Sequence, residues 1–182
     1  MLKKLVKKQH LIDGMFDGLI AELRKYLPDL GRHVAIDSKA IESYARGKKN
    51  PAEGSDPEAD WGAKTYKGKG KEGSLWERIV SWFGYKLHLL VDTTYELPVG
   101  YRVSRASRPD IEELLPMVAE AKQKHFGSIE TLAADKAYDS GPHHETLYDT
   151  HGIKPVIDIR NTWKDGEETK ALAPDGQRQY RV

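Results

Sequence analysis

The chain has 182 residues, with 29 Lys and Arg against 28 Asp and Glu and a formal net charge of +1. This length suits one domain with its own core, and the near-zero charge excludes binding to nucleic acid or membranes through an overall field. No cysteine is present, which excludes disulfides and thiolate zinc sites and agrees with a reducing compartment. No apolar run approaches the ~20 residues of a membrane span. A cytoplasmic protein without membrane contact is expected.

The N-terminal residues carry a helical pattern. Apolar residues recur at steps of three and four over residues 11–27, which predicts an amphipathic helix that packs on the core and ends at Pro28. A partner-binding surface is the less common use of such a stripe. Residues 1–30 are therefore a predicted helical lead-in, followed by a short strand from His33 to Asp37 and a weakly helical stretch from Ser38 to Ala45.

Residues 46–75 change in composition to Lys, Gly, Pro and acids, which predicts a long surface loop. A loop of this length without its own structure is either functional or disordered. Its lysines could contact nucleic-acid phosphates, but interspersed acids favour a mixed, solvated loop. The lysines are Lys48, Lys49, Lys64, Lys67, Lys69 and Lys71, and the acids are Glu53, Asp56, Glu58, Asp60 and Glu72.

A β-hairpin is predicted next, with strands from Trp82 to Asp92 and from Leu97 to Ser104 around a turn at 93–96. The first strand is apolar enough on both faces to be central in a sheet. Asp110 and Glu113 then fit a capping box, which predicts a helix that begins after Pro109.

The remaining pattern alternates strands and helices. A buried strand from Ile129 to Ala134 is followed by Asp135, then by a short helix over residues 142–149 and a strand over residues 154–159. Residues 31–160 are therefore predicted to form a mixed sheet with flanking helices. Residues 161–182 show no periodicity and are a predicted irregular tail.

Two acids stand at predicted strand ends. Asp37 follows the first strand and Asp135 follows the fourth, and in a mixed sheet of this order they can converge. Such carboxylates suit magnesium, which takes one or two of them and accepts phosphate oxygens as further ligands, so phosphoryl transfer is the chemistry implied. The alternative is structural, because an Asp at a strand end is also an ordinary turn or N-cap residue.

Several segments together resemble the catalytic domain of DDE-type insertion-sequence transposases, which have a ribonuclease H-like fold. Single segments are weakly specific, but their joint order and spacing are specific. The segments are VAIDSKAI (34–41), DPEADWGAKTY (56–66), WFGYKLHLLVD (82–92), LPVGYRVSRASRPDIEELLP (97–116), LAADKAYDS (132–140) and HGIKPVIDIR (151–160).

The resemblance implies a fold of three antiparallel strands followed by parallel strands, with flanking helices. It implies that Asp37 and Asp135 are the first two catalytic acids and bind two Mg²⁺ or Mn²⁺ ions, with Asp37 bridging both. The implied activity is metal-dependent DNA cleavage and strand transfer during transposition of a mobile element. The implied partner is DNA, at the transposon ends and the target, and a homodimer is allowed.

The family's third acid, a Glu in a pattern of Tyr, Arg, Glu and Lys on a later helix, has no match in this sequence. Glu167 and Glu168 lie in a stretch without a helical apolar face and are interpreted as solvated charge. The family's upstream DNA-binding region also has no counterpart, so a fragment with little or no strand transfer is expected. The alternatives are a ribonuclease H-like nuclease and a noncatalytic remnant that binds DNA or pairs with intact transposase subunits.

Other residues are weaker candidates. Lys86, His88 and Lys136 are candidates for DNA contact or for support of the site. Tyr138 resembles a recombinase nucleophile only superficially, because no cluster of Arg and His accompanies it. The tryptophans Trp61, Trp76, Trp82 and Trp163 suit stacking on unpaired bases, although packing is their more common role.

Overall fold

A computed structural model describes residues 8–45, 47, 55–69, 74–124 and 128–159. In chain order the helices and strands are α1 (Gln9–Tyr26), β1 (His33–Glu42), β2 (Asp60–Lys69), β3 (Leu75–Asp92), β4 (Pro98–Arg105), α2 (Leu114–Lys124), β5 (Thr131–Ala134), α3 (Gly141–Glu145) and β6 (Lys154–Ile157). Short 3₁₀ turns precede α2 at Asp110–Glu113 and follow β5 at Lys136–Tyr138. A π-helical turn, Thr146–Thr150, extends α3.

The strands of the described residues form one six-stranded mixed sheet in the order β2-β3-β1-β5-β6, with β4 paired to β3. β3 runs antiparallel to β1, β2 and β4, whereas β5 runs parallel to both β1 and β6. The predicted mixed α/β fold is therefore confirmed, together with the hairpin of β3 and β4 and the central place of β3.

The core lies on one face of this sheet. Alternate residues of the strands, such as Val34 and Ile36 in β1, Leu90 in β3 and Leu132 in β5, are at most 3% exposed. They pack with apolar residues of the helices and loops, because successive strand side chains point to opposite faces. These partners include Ile20, Leu114, Met117, Val118, Ala121, Tyr138, Leu147 and Ile153.

The first helix is confirmed, but its core packing is only partial. Ile20 is buried, and Phe16 meets the ring of Tyr101 edge to face with centroids 5.1 Å apart. Met15 and Leu19 remain 76% and 57% exposed. Leu11 and Ile12 are also exposed, at 49% and 39%. The interpretation of the whole stripe as core packing is therefore wrong for these four residues, because α1 meets the sheet along a narrower line than its apolar face offers.

Two local predictions are wrong. The stretch from Ser38 to Ala45 is not helical, since β1 continues to Glu42, which pairs with Gly84. The predicted loop at 46–75 contains strand β2 and the start of β3. In both places pairing with β3 supplies the backbone hydrogen bonds, and local composition does not report such pairing.

Part of the predicted loop and the predicted tail at 161–182 lie outside the described residues. The same holds for the following side chains singled out above: Lys48, Lys49, Glu53, Lys67, Lys69, Lys71, Glu72, Trp163, Glu167 and Glu168.

The predicted capping box is also wrong. The 3₁₀ turn begins after Pro109 with no side-chain cap. Asp110 instead accepts a hydrogen bond from Lys86, and the buried Glu113 pairs with Arg102 and Arg108. Tertiary ion pairs thus replace the local hydrogen bonds that the sequence pattern favoured.

Residues 60–69 and 75–83 form a two-stranded extension of the sheet, named here the ribbon. Hydrogen bonds hold its base. The hydroxyls of Tyr85 and Ser43 donate to the two carboxylate oxygens of Asp56 at 2.6 and 2.7 Å, and Ser107 donates to Asp60 at 2.7 Å. The bond from Tyr85 foremost, followed by that from Ser43, lowers the pKa of Asp56 below its ordinary value.

Gly84 lies where the ribbon joins the sheet, and Gly84→Ala is expected to destabilise the fold by roughly 1–3 kcal/mol. Its φ is 155°, and an added Cβ would lie 2.2 Å from the carbonyl oxygen of Ile41, which belongs to paired backbone. Urea denaturation measures the loss. Gly100→Ala is the matched control, because its Cβ would make an ordinary 3.5 Å contact with Leu90. Equal losses in both variants would contradict the prediction.

Candidate active site

The sequence predicted that Asp37 lies at the end of β1. In the structure it lies in the interior of that strand. It pairs with Leu89 of β3. Its neighbours Val34 and Ile36 point into the core, so alternation turns Asp37 to the opposite face of the sheet, where its side chain is exposed. The pairing with β3 carries β1 beyond the point where its local sequence pattern ends.

Asp135 follows directly after β5 and reaches the same face. The parallel register of β1 and β5 pairs Ala35 with Ala133. Two residues further along each strand, the same register sets Asp37 level with Asp135. The backbone of Asp135 is still extended, with φ −76° and ψ 173°. Because paired strands lie about 4.8 Å apart, the register sets the two carboxylates side by side.

Both carboxylates make one local hydrogen bond. Asp37 Oδ1 accepts from the Ser38 N–H at 2.7 Å, and Asp135 Oδ1 accepts from the Ala137 N–H at 2.8 Å as the cap of the 3₁₀ turn. The alternative interpretation, in which both acids are turn or cap residues, therefore accounts for only one oxygen of each carboxylate. The other oxygen, Oδ2, has no hydrogen-bond donor among the residues that the structure describes.

The two acids line an open cavity of about 560 Å³. One wall belongs to the ribbon, and another contains Lys86 and Asp110, whose Nζ and Oδ1 are 2.8 Å apart. Lys86 also donates to the carbonyl of Arg108 at 2.8 Å. The main lining side chains are Asp37, Ser38, Lys39, Lys64, Tyr66, Val80, Trp82, Lys86, Asp110 and Asp135.

His88 does not reach the cavity surface. It pairs with Ser38 across the sheet, on the core face, and is 0% exposed, so its side chain is not accessible to DNA. Its Nε2 lies 2.8 Å from Ser104 Oγ, and Nδ1 has no partner among the described residues. Burial lowers the pKa of His88 below its ordinary value, against the opposing charges of Asp110 and Glu113.

Tyr138 is also buried, with 1% of its surface exposed. Its hydroxyl has no hydrogen-bond partner within the described part of the chain. Burial, and then the negative charges of Asp110, Asp37 and Asp135, raise the pKa of Tyr138 well above its usual value. Because its side chain is buried, Tyr138 is not placed to attack a phosphate, which argues against the tyrosine-recombinase interpretation.

The other candidates lie around the cavity. Lys136 is exposed and begins the 3₁₀ turn after Asp135. Trp61, Trp76 and Trp82 all lie on the ribbon, and Trp82 lines the cavity. Sequence reasoning missed Asp110 as a lining residue and the ribbon as a wall. A signal for the ribbon was available in the spacing of Tyr66, Trp76 and the glycines.

The described residues contain no cluster of three or more His, Cys, Asp or Glu side chains placed to hold a metal ion. None of their helices combines the length and apolar character needed to cross a membrane.

Residues 28–181 match the family model described as the transposase DDE domain. The chain belongs to this family. The predicted family resemblance is thereby confirmed.

Among solved structures, the DDE domain is similar to the cryo-EM structure of the piggyBac transposase synaptic complex with hairpin DNA. The two share 16% sequence identity with a TM-score of 0.42, over 76% of this chain and 25% of that chain. The present chain thus matches about a quarter of that transposase. No curated protein matches it.

The stability of this domain is expected to fall as the pH decreases from about 7.5 to about 5.5, in part because of His88. Its folded-state pKa lies below the ordinary 6.5. The unfolded chain therefore binds more protons below about pH 6.5, and protonation favours unfolding there. His88→Gln is expected to reduce the pH dependence of the urea midpoint.

His143 and His151, whose pKa values burial also lowers, account for the dependence that remains. His10→Gln, at an exposed position of α1, serves as the control and should keep the wild-type dependence. An unchanged dependence in His88→Gln would refute the assignment.

Proposed function

We propose that Asp37 and Asp135 hold divalent cations, Mg²⁺ or Mn²⁺, for the cleavage and strand transfer of DNA during transposition. The observation that carries the proposal is the register of β1 and β5, which brings the two carboxylates level on one open face. Membership of the transposase DDE domain family supports the reaction class.

The donor set fits such a cation. Magnesium takes one or two protein carboxylates, keeps several waters and accepts substrate phosphate oxygens, and each acid offers an Oδ2 without a donor among the described residues. The cavity of about 560 Å³ leaves room for a phosphate and its sugar. When bound, the cations supply Lewis-acid activation of the attacking oxygen and stabilise the leaving oxygen.

The surrounding residues set the charge of the cavity. Lys86 pairs with Asp110, which reduces the repulsion that a third unpaired carboxylate would exert on an incoming phosphate. Lys39 and Lys64, which also line the cavity, attract the phosphate. Lys86 therefore supports the site through its ion pair with Asp110 and not through direct contact with DNA. Lys136, exposed beside Asp135, is the better candidate for such contact.

DNA ends and target DNA are the proposed substrates, and a second copy of the chain is a proposed partner. The similar piggyBac structure is a synaptic complex with hairpin DNA, and the present chain corresponds to a quarter of that protein. We further propose an insertion-sequence origin. The sequence contains no match to the third-acid pattern, so this chain alone is expected to show little or no strand transfer.

A second candidate function is DNA binding without catalysis, either alone or paired with an intact transposase subunit. The lack of a three-residue metal cluster within the described residues favours it. The two candidates differ in their need for the carboxylates, because binding to DNA alone does not require Asp37 or Asp135.

Mn²⁺ titration, followed by water-proton relaxation, tests the metal site. Asp37→Asn and Asp135→Asn should each weaken Mn²⁺ binding roughly 10-fold or more, since even the loss of an outer-shell partner costs about 10–100-fold. Both substitutions keep the side-chain shape, so the fold should persist. Circular dichroism checks that each variant is folded.

Asp149→Asn is the matched control, because Asp149 is exposed and does not line the cavity. It should bind Mn²⁺ like the wild type. Binding that is absent in the wild type, or that neither substitution alters, would refute the metal site and leave the noncatalytic candidate. Strong metal-dependent strand joining by this chain alone would refute the expected lack of activity.

A further inference from the structure

One face of the ribbon combines aromatic and basic side chains. Residues that pair across the ribbon share a face, and successive pairs alternate between faces. The face that contributes Lys64, Tyr66, Val80 and Trp82 to the cavity is named here the platform; Ala63 and Thr65 of the other face also line the cavity. Its members are Gly62, Lys64, Tyr66 and Gly68 of β2, and Trp76, Arg78, Val80 and Trp82 of β3.

Each tryptophan of the platform lies across a glycine of the opposite strand. A Cβ on Gly62 would come within 2.6 Å of the Trp82 ring, and a Cβ on Gly68 within 2.5 Å of the Trp76 ring. Only glycine therefore permits these rings to cover the backbone. Trp82 is also fixed by its indole N–H, which donates to the carbonyl of Tyr85 at 3.1 Å.

The outer ends of this arrangement face solvent. Trp76 is 48% exposed and Tyr66 is 46% exposed, which is high for large aromatic groups that contribute little to the core. Among the described residues, no second layer of structure covers these two rings. Rings of this kind are suitable stacking surfaces for unpaired bases.

The platform is mainly basic. Lys64 and Arg78 are its ionised members, and Asp60, at the base of the ribbon on the same face, accepts a hydrogen bond from Ser107 at 2.7 Å. The ammonium of Lys64 lies 5.9 Å from the centre of the Tyr66 ring, so cation and ring present one combined surface. The ribbon's other described acid, Glu77, lies on the opposite face.

The platform is continuous with the proposed metal site. Lys64, Tyr66, Val80 and Trp82 line the same cavity as Asp37 and Asp135. From Trp82 to Trp76 the strand extends about 20 Å at ~3.3 Å per residue. At ~3.4 Å per stacked nucleotide, this distance corresponds to roughly six nucleotides leading away from the acids.

We propose that the platform binds an unpaired segment of the DNA strand next to the phosphate that reacts, with bases stacked on Trp76, Tyr66 and Trp82 and phosphates paired to Lys64 and Arg78. This inference rests on the proposed function for the location of the reacting phosphate. It adds a strand-separating role, since aromatic stacking requires bases that have left the duplex.

Binding of a fluorescent oligo-dT of about 12 nucleotides, measured by anisotropy in EDTA, tests the platform without any metal. Trp76→Ala should weaken binding roughly 5- to 100-fold, as for the loss of one stacked base. Trp76→Phe should retain most of the affinity, and Arg78→Glu should also weaken binding. Oligonucleotide binding should quench tryptophan fluorescence in the wild type.

Ile79→Ala is the matched control, because Ile79 is 66% exposed on the opposite face and adjacent in sequence to Arg78. It should bind like the wild type. The proposal is overturned if Trp76→Ala binds like Ile79→Ala. It is also overturned if a duplex of equal length binds at least as tightly with no quenching, which would indicate phosphate contacts alone.

The same assay separates this inference from the metal site. Asp37→Asn should bind the oligonucleotide at least as tightly as the wild type in EDTA, because the platform does not use the carboxylate and the substitution removes a negative charge from the same cavity. Absence of Mn²⁺ binding in the wild type, together with intact oligonucleotide binding, would refute the metal site alone. Intact Mn²⁺ binding with no effect of Trp76→Ala would refute the platform alone.

Discussion

The parallel pairing of β1 with β5 positions the candidate site, because it places two residues that are far apart in sequence side by side. Three paired positions, ending at Ala35 and Ala133, determine the register. A slip of one residue on either strand would turn one carboxylate into the core. The burial of Val34 and Ile36 in β1 and of Leu132 in β5 resists that slip, since it would expose the apolar side chains of the strand that slips and bury its acid.

The ribbon depends on the same sheet for its orientation. β3 pairs with β1 over residues 84–92 and with β2 over residues 75–84, so one continuous strand serves both the core and the ribbon. Hydrogen bonds to Asp56 and Asp60 hold the base of the ribbon. The glycine at position 84 allows close approach of the β1 backbone at that junction. The aromatic wall is thereby held at a constant position relative to the two acids.

Buried polar groups around the site serve the fold more than the chemistry. Glu113 is 2% exposed and is paired with two arginines, and Asp92 is 0% exposed with backbone N–H donors from Gly31, Thr94 and Tyr95. These carboxylates are fully used in structural interactions. Asp37 differs because it stands on the open face with one oxygen outside such bonding. The contrast distinguishes a candidate ligand from a structural acid.

The sequence by itself determined the helices α1 and α2, the hairpin of β3 and β4, the strand β5 and the family, because local periodicity and ordered motifs carry that information. It also identified Asp37 and Asp135 as candidates. The extension of β1 to Glu42, the strand β2, the burial of His88 and the pairing of Asp110 with Lys86 were decided only by tertiary structure. Each depends on contacts with another segment of the chain, which local sequence patterns do not report, and these contacts override the local preferences of residues 38–45 and 60–69.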